Sequence, residues 1–276
     1  MRKDNISLKE DQMKQIQNVP LNKHEIKPIY NILFNEYTNI KHGFFRGIDS
    51  KGHSLSVGLN IGNDDVAINN RQRIADYFGV AISNLIILNQ KHSNIVHVIN
   101  DNNIDKYKFS SIKNALNNEG DAIITNIPNL LIGVNTADCA PILLFDEQKH
   151  YIAVIHSGWR GTISSIIENT ITELKELGCD SIIASVGPCI SKNNLELEKE
   201  LIPYMYRKKF TTNIDNIKCN LDMVGLINYK LQNSKVIKNI SSVNIDTFSN
   251  KAFYSYRRAH QKREGLQFSG IMLVNN

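Results

Sequence analysis

Six short β-rich runs crowd into residues 84–155, and they restrict the possible folds more than any other feature of the chain. Asn84 to Leu88 (NLIIL) and Asn94 to Ile99 (NIVHVI) flank the loop NQKHS. Ala122 to Thr125 and Leu130 to Asn135 are joined by a turn at Pro128-Asn129, and Ile142 to Phe145 and Tyr151 to Ile155 by the polar turn DEQKH. Apolar runs of this length between turn residues read as strands. A regular strand–helix–strand alternation does not appear. Strands paired by short turns, with a few long helices, predict an α+β fold on a mixed sheet.

The helices follow. After HSGWRG, the residues Ile163, Ile166, Ile167, Ile171 and Leu174 recur at helical spacing, with Ser157 or Thr162 able to cap the start and Gly178 ending the helix. Ser181 to Val186 reads as a buried strand, about 195–208 and 221–232 as helices, and 253–256 and 270–274 as closing strands. No repeat and no Pro/Gly/Ser-rich linker divides the chain. Residues 1–28 read as a polar extension, or one loosely docked helix, ahead of a single domain over 29–276.

Composition narrows the function. With 32 basic and 27 acidic residues the excess is only +5, too small to argue for nucleic acid. The four cysteines form no CxxC pair, so zinc ribbons and thioredoxin-type motifs are excluded. The N-terminus has no apolar h-region, and no stretch approaches ~18 apolar residues, so the chain is expected to be cytoplasmic and not to span a membrane.

Three side chains stand where a strand runs into a loop: His92 in NQKHS, Cys139 in NTADCAP and His156 in IHSGWRG. They are separated by 47 and 17 residues, so only folding can bring them together. Two imidazoles and a thiolate suit Zn²⁺, and three protein ligands leave one position open for a water whose pKa falls to roughly 7. Copper accepts the same donors. Without metal, Cys139 and His156 could instead be a nucleophile and base, with Asp138 orienting the imidazole. By position alone, His97 and His150 qualify as well as the chosen histidines. Cys179, Cys189 and Cys219 read as small buried hydrophobes.

Two further segments carry donors. In HSGWRGT, glycines flank Trp159-Arg160 ahead of a helix start, where free N–H groups and Arg160 suit a phosphate, although the loop equally serves as a packed turn. In AFYSYRRAH, Tyr254 and Tyr256 beside Arg257 and Arg258 offer stacking surfaces and an oxyanion partner.

The ordered blocks QKHS, GDAIIT, TADCAPILL, AVIHSGWRGT, SVGPCI and FYSYRR, with the earlier segment HGFFRGIDSKGHSLSVGLNIGND, resemble one family. It is variously labelled polyphenol-oxidase (laccase) domain protein, peptidoglycan editing factor and purine nucleoside phosphorylase. The resemblance covers about 41–273. It implies a mixed β-sheet sandwich with flanking helices, similar to cysteine-nucleophile deamidating toxins, and one Zn²⁺ on His92, Cys139 and His156. The implied chemistry is phosphorolysis of adenosine, inosine and 5′-methylthioadenosine, and hydrolytic deamination of adenosine. For it, Asp138 is the candidate proton shuttle, and Arg46, Arg160 and Arg257 are the candidate phosphate donors, Arg46 and Arg257 preferred. The alternative is an amidase acting on cell-wall precursors through Cys139 and His156. A homodimer is possible.

Copper oxidation fits poorly, because the chain has no HxH pair. The chain also departs from the family pattern: Ser93 stands where glycine is common, Ile245-Asp246-Thr247 where Cys-Thr is common, and Gly265-Leu266 where Gly-Arg is common.

Overall fold

The computed structural model describes residues 26–275. The expected extension over 1–28 falls almost wholly outside them, and of its last three residues Ile26 and Pro28 are buried. The described strands are Ile40–Phe44 (β1), Leu85–Ile87 (β2), Val96–Ile99 (β3), Ala122–Thr125 (β4), Leu131–Thr136 (β5), Ala140–Asp146 (β6), Tyr151–Ser157 (β7), Ile182–Val186 (β8), Glu196–Glu198 (β9), Thr211–Asn213 (β10), Lys218–Leu221 (β11), Ile237–Ser242 (β12) and Gln267–Leu273 (β13). The α-helices are Asp64–Phe78 (α1), Ile112–Asn117 (α2), Trp159–Ile163 (α3), Ile166–Glu176 (α4), Tyr204–Phe210 (α5) and Met223–Gln232 (α6). None of the described helices is long and apolar enough to cross a membrane.

A six-stranded mixed sheet, ordered β12-β8-β6-β7-β4-β3, packs on a four-stranded one, ordered β1-β13-β5-β2. Strand alternation builds the layers. Leu143 and Phe145 face the four-stranded sheet, where they meet Ile132, Val134 and Ile271. Ile142 and Leu144 face the opposite way, onto Ile167 and Ile171 of α4 and Leu226 and Ile227 of α6. The outer face of the four-stranded sheet is covered by Ile74 and Phe78 of α1. The sandwich with flanking helices is therefore present. Phe145 lies wholly buried between the sheets, where truncation to alanine costs ~3–5 kcal/mol. A three-stranded sheet, β10-β11-β9, lies apart in the pairing scheme.

Register positions the future site. β6 pairs antiparallel with β7, placing Pro141 opposite His156, so Cys139 stands beside the end of β7. β4 pairs on the other side of β7 with Ala122 opposite Ile155, and the His156 N–H donates to Asp121 O at 2.7 Å. The loop from β2 to β3 crosses from one sheet to the other and carries His92 into the same place.

Some expectations fail for identifiable reasons. The helix expected over 195–208 is instead β9, a 3₁₀ turn and the short α5, because Pro203 cannot donate inside a helix and starts a new one. The closing strand at 253–256 is a turn-rich strap, with the Tyr254 N–H bonded to Gln267 Oε1 at 2.8 Å instead of a neighbouring strand. Leu59-Asn60, where the family resemblance implies a Leu-Asn strand after Arg46 and a glycine turn, lies in a turn. The helix after HSGWRG is broken into α3 and α4 at Ser165, whose φ is 73°. Neither expected side chain caps it: Gly158 is the N-cap, and the Thr162 hydroxyl donates back to Gly158 O at 2.9 Å. Helix α1 was not anticipated, although Asn63 caps it, Asp64 and Asp65 occupy its first turn, and Gly79 closes it at φ 82°.

Candidate active site and metal centre

Asp121, the residue before β4, organises the site. Its Oδ1 accepts the His92 N–H at 3.0 Å and meets His156 Nδ1 at 2.7 Å. Its Oδ2 accepts the Ser93 N–H at 2.7 Å, the Ser93 hydroxyl at 2.6 Å and the Lys91 N–H at 3.2 Å. These bonds hold the loop in a conformation where His92 has φ 59°, a left-handed geometry that a non-glycine residue adopts only when its surroundings impose it. The departure at Ser93 thus gains an additional tie to the same carboxylate.

One donor atom each from His92, Cys139 and His156 lies within 4.8 Å of the other two. His92 Nε2 is 3.6 Å from Cys139 Sγ, and the two imidazole rings meet edge-on with centroids 4.8 Å apart. Donors around a tetrahedral Zn²⁺, at ~2.0–2.1 Å for N and ~2.3 Å for S, stand roughly 3.3–3.8 Å from one another; the His92–Cys139 pair falls in that range, and the three donors together could hold a metal ion. Asp121 occupies His156 Nδ1 and leaves Nε2 free to ligate a metal, the carboxylate–histidine arrangement that orients metal ligands. Gly158 makes room: a Cβ there would lie 2.8 Å from both Cys139 Sγ and His92 Cδ2. Among the described residues this is the one cluster of three such donors.

The charges are coupled. Burial alone would raise the Cys139 thiol, but the attraction of His156 and hydrogen bonds from both imidazoles bring it down to about 6. Burial would lower His156, yet the Cys139 charge and the bond to Asp121 carry it up to about 9. Burial would likewise raise Asp121, and the His156 and Ser93 bonds hold it at about 2. Burial pushes Cys179 and Cys189 up to about 12, so both are inert thiols. His97 is engaged by Tyr107 OH and Glu119 O, each at 2.9 Å, and His150 by Asn39 at 3.1 Å.

The triad opens onto a cleft of about 810 Å³. Residues 43–274 match the family described as multi-copper polyphenol oxidoreductase laccase. The chain belongs to that family. It is 30% identical over 239 residues to purine nucleoside phosphorylase RP494 of Rickettsia prowazekii, covering 84% of this chain and 89% of that one. It is 34% identical over 170 residues to adenosine deaminase RL5 of an unknown prokaryotic organism, covering 59% and 64%. Hypothetical protein YfiH of Bacillus licheniformis shares the fold with a TM-score of 0.75 at 22% identity, covering 91% of this chain and 97% of that one.

In this laccase-family cleft the other anticipated residues divide. Arg160, Arg257 and Asp138 line it, as do Trp159 and Tyr256. Arg46 is not among the lining residues and donates to Lys27 O at 2.7 Å. Arg257 donates through Nη2 to Glu196 O at 2.7 Å, and Arg160 stacks 4.3 Å from the Trp159 ring centroid. Asp138 accepts the Thr247 hydroxyl at 2.7 Å, the Ser255 hydroxyl at 3.0 Å and the Arg257 N–H at 2.7 Å. Arg258 bonds Thr247 O and Phe248 O, both at 2.7 Å, and so ties down the strap. Thr247, in the segment Ile245-Asp246-Thr247, thus ties Asp138 to the strap. Sequence reasoning missed Asp121 as a site residue, although it lies in the block GDAIIT.

Proposed function

We propose that this laccase-family protein is a zinc-dependent purine nucleoside enzyme. It phosphorolyses adenosine, inosine and 5′-methylthioadenosine and deaminates adenosine. The observation that carries the reading is the convergence of His92, Cys139 and His156 at the base of a cleft lined by arginines and aromatic rings. The names of the two relatives point the same way.

A bound Zn²⁺ would supply Lewis acidity at the open side of the cleft. The chain's own residues do the rest. Asp121 keeps His156 in one tautomer and holds the His92 loop. Trp159 and Tyr256 give a purine its stacking surface. In phosphorolysis an oxygen of hydrogen phosphate bonds C1′ as the C1′–N9 bond breaks, and the phosphate's proton leaves with the purine. Arg160 and Arg257 are two of the cationic donors that line the cleft, and they help hold that phosphate in line. Asp138, the shuttle candidate, already has both oxygens bonded. It acts here by positioning the strap that carries Arg257, and a shuttle role would require one oxygen to be released.

The amidase alternative uses the same atoms. Cys139, His156 and Asp121 form a thiol, a base and an orienting carboxylate, with the thiol near 6. Elemental analysis and chelation separate the two readings. The nucleoside enzyme carries about one zinc per chain and loses turnover of adenosine and inosine on chelation, with recovery on adding Zn²⁺. Metal-free protein that remains active and forms a covalent adduct at Cys139 would establish the amidase instead.

A further inference from the structure

Arg71, on α1, is 5% exposed and lines the cleft away from the His92–Cys139–His156 cluster's own hydrogen bonds. Its Nε donates to Val57 O at 2.9 Å. Among the described residues its terminal nitrogens have no protein acceptor and no carboxylate pairs with them. The Phe109 ring centroid, 5.9 Å from the guanidinium carbon, is at the outer limit of a cation–π contact. Burial pulls the guanidinium down to about 10 against the attraction of Asp64, a carboxylate that stands beyond ion-pair distance, which leaves it charged at neutral pH.

Among the described residues the other buried charges are all matched. Lys230 pairs with Glu168, and Asp49 meets Arg73 at 3.0 Å. Asp146 accepts the N–H groups of Lys149 and Ser181 at 2.7 and 3.0 Å, and Asp121 and Asp138 are bonded as described. An unpaired buried charge is among the most destabilising features a domain can carry, so its persistence points to an anion from outside. A second orphan lines the same cleft: Asn135 Oδ1 is buried without a donor. Its backbone is clamped both ways by Gln90, at 2.7 Å each.

We propose that Arg71 anchors an anion subsite of the cleft, that its ligand is a phosphate group, and that Asn135 accepts a hydroxyl or amine of the same ligand. A guanidinium with both terminal nitrogens free suits a phosphate's paired oxygens. Arg257 has already committed one nitrogen to Glu196, and Arg160 lies on the surface. The choice of phosphate rests on the nucleoside reading. Two sources share that chemistry: inorganic phosphate as co-substrate, or the ester of a nucleoside monophosphate.

The test titrates inorganic phosphate and adenosine 5′-monophosphate calorimetrically into zinc-loaded full-length wild type, R71K and R71M. Following the thermal midpoint with each anion reads ligand-linked stability apart from any structural effect of the substitution. R71M should weaken at least one anion by ~10-fold or more and abolish its thermal shift, with R71K intermediate. Zinc content should not change. Loss confined to inorganic phosphate identifies the co-substrate, and loss confined to the monophosphate identifies a nucleotide ligand. Unchanged affinity for both, or no binding by wild type, overturns the subsite. Failure of the nucleoside reading looks different: wild type lacks zinc or nucleoside turnover. If R71M does not fold, wild-type crystals soaked in tungstate decide. An anomalous peak within hydrogen-bond reach of the Arg71 terminal nitrogens supports the proposal, and peaks only elsewhere overturn it.

Discussion

Two histidines in this protein are equally buried and titrate in opposite directions. His42, on β1, is 5% exposed, and His156, on β7, is 3% exposed. His42 Nε2 accepts the Asn31 N–H at 2.9 Å, its ring lies edge-on to Tyr30 and Phe34, and burial pushes it down to about 4. His156 faces a carboxylate and a thiol and is pushed up to about 9. Burial alone makes an imidazole a neutral core residue. A charged partner on each side makes it a base or a ligand. The difference therefore resides in Asp121 and Cys139, not in the histidine.

The largest effect that bears on this contrast tests the His42 side. Folding lowers this imidazole's pKa, so protons prefer the unfolded chain. The stability due to neutral His42 is whole above pH ~6.5 and is lost as pH falls toward ~4, by up to ~3 kcal/mol. H42Q, which keeps an acceptor for the Asn31 N–H, should flatten that part of the profile in denaturant melts between pH 7 and 4. An unchanged slope would show that His42 is not the acid-sensitive group.

Next, D121N should turn the His156 environment toward that of His42. Zinc affinity should fall ~10–100-fold in a chelator competition, and in metal-free protein the His156 ring should titrate lower by NMR. An affinity within twofold of wild type would collapse the contrast.

A smaller effect separates the two aspartates. D138N should weaken the strap by ~1–2 kcal/mol, read as faster amide exchange at Arg257. It should leave zinc affinity within ~3-fold, because the Asp138 bonds go to Thr247, Ser255 and Arg257. Near-normal deamination in this folded variant would remove Asp138 as a shuttle. Smallest of all, R46A should change stability by less than ~0.5 kcal/mol and leave the phosphate KM within ~2-fold. Arg46 lies outside the cleft. A large KM change there would mean that the phosphate approaches from an unexpected side.

The sequence by itself determined much of this protein. Short continuous apolar runs between turn residues suit strands buried on both faces, so the strands from Leu85 to Ser157 were legible, as was the helix ended by Gly178. The strand-end positions of His92, Cys139 and His156 were legible too, and the block motifs singled them out from the other histidines. What depended on long-range pairing was not legible. Pro203 divided an expected helix, and the 253–256 run found Gln267 instead of a partner strand. Asp138 is adjacent to Cys139 in the chain, yet its φ of 87° accompanies a carboxylate bonded to residues 109 to 119 positions away. Asp121 is 35 residues from His156 and meets it only because β4 and β7 are paired in one register. Arg71 became notable only when folding buried it without a partner. Local sequence can choose the donors. Only the tertiary structure decides which charges end up facing each other, because that is set by sheet register and by loss of water, and neither is written in the spacing of the chain.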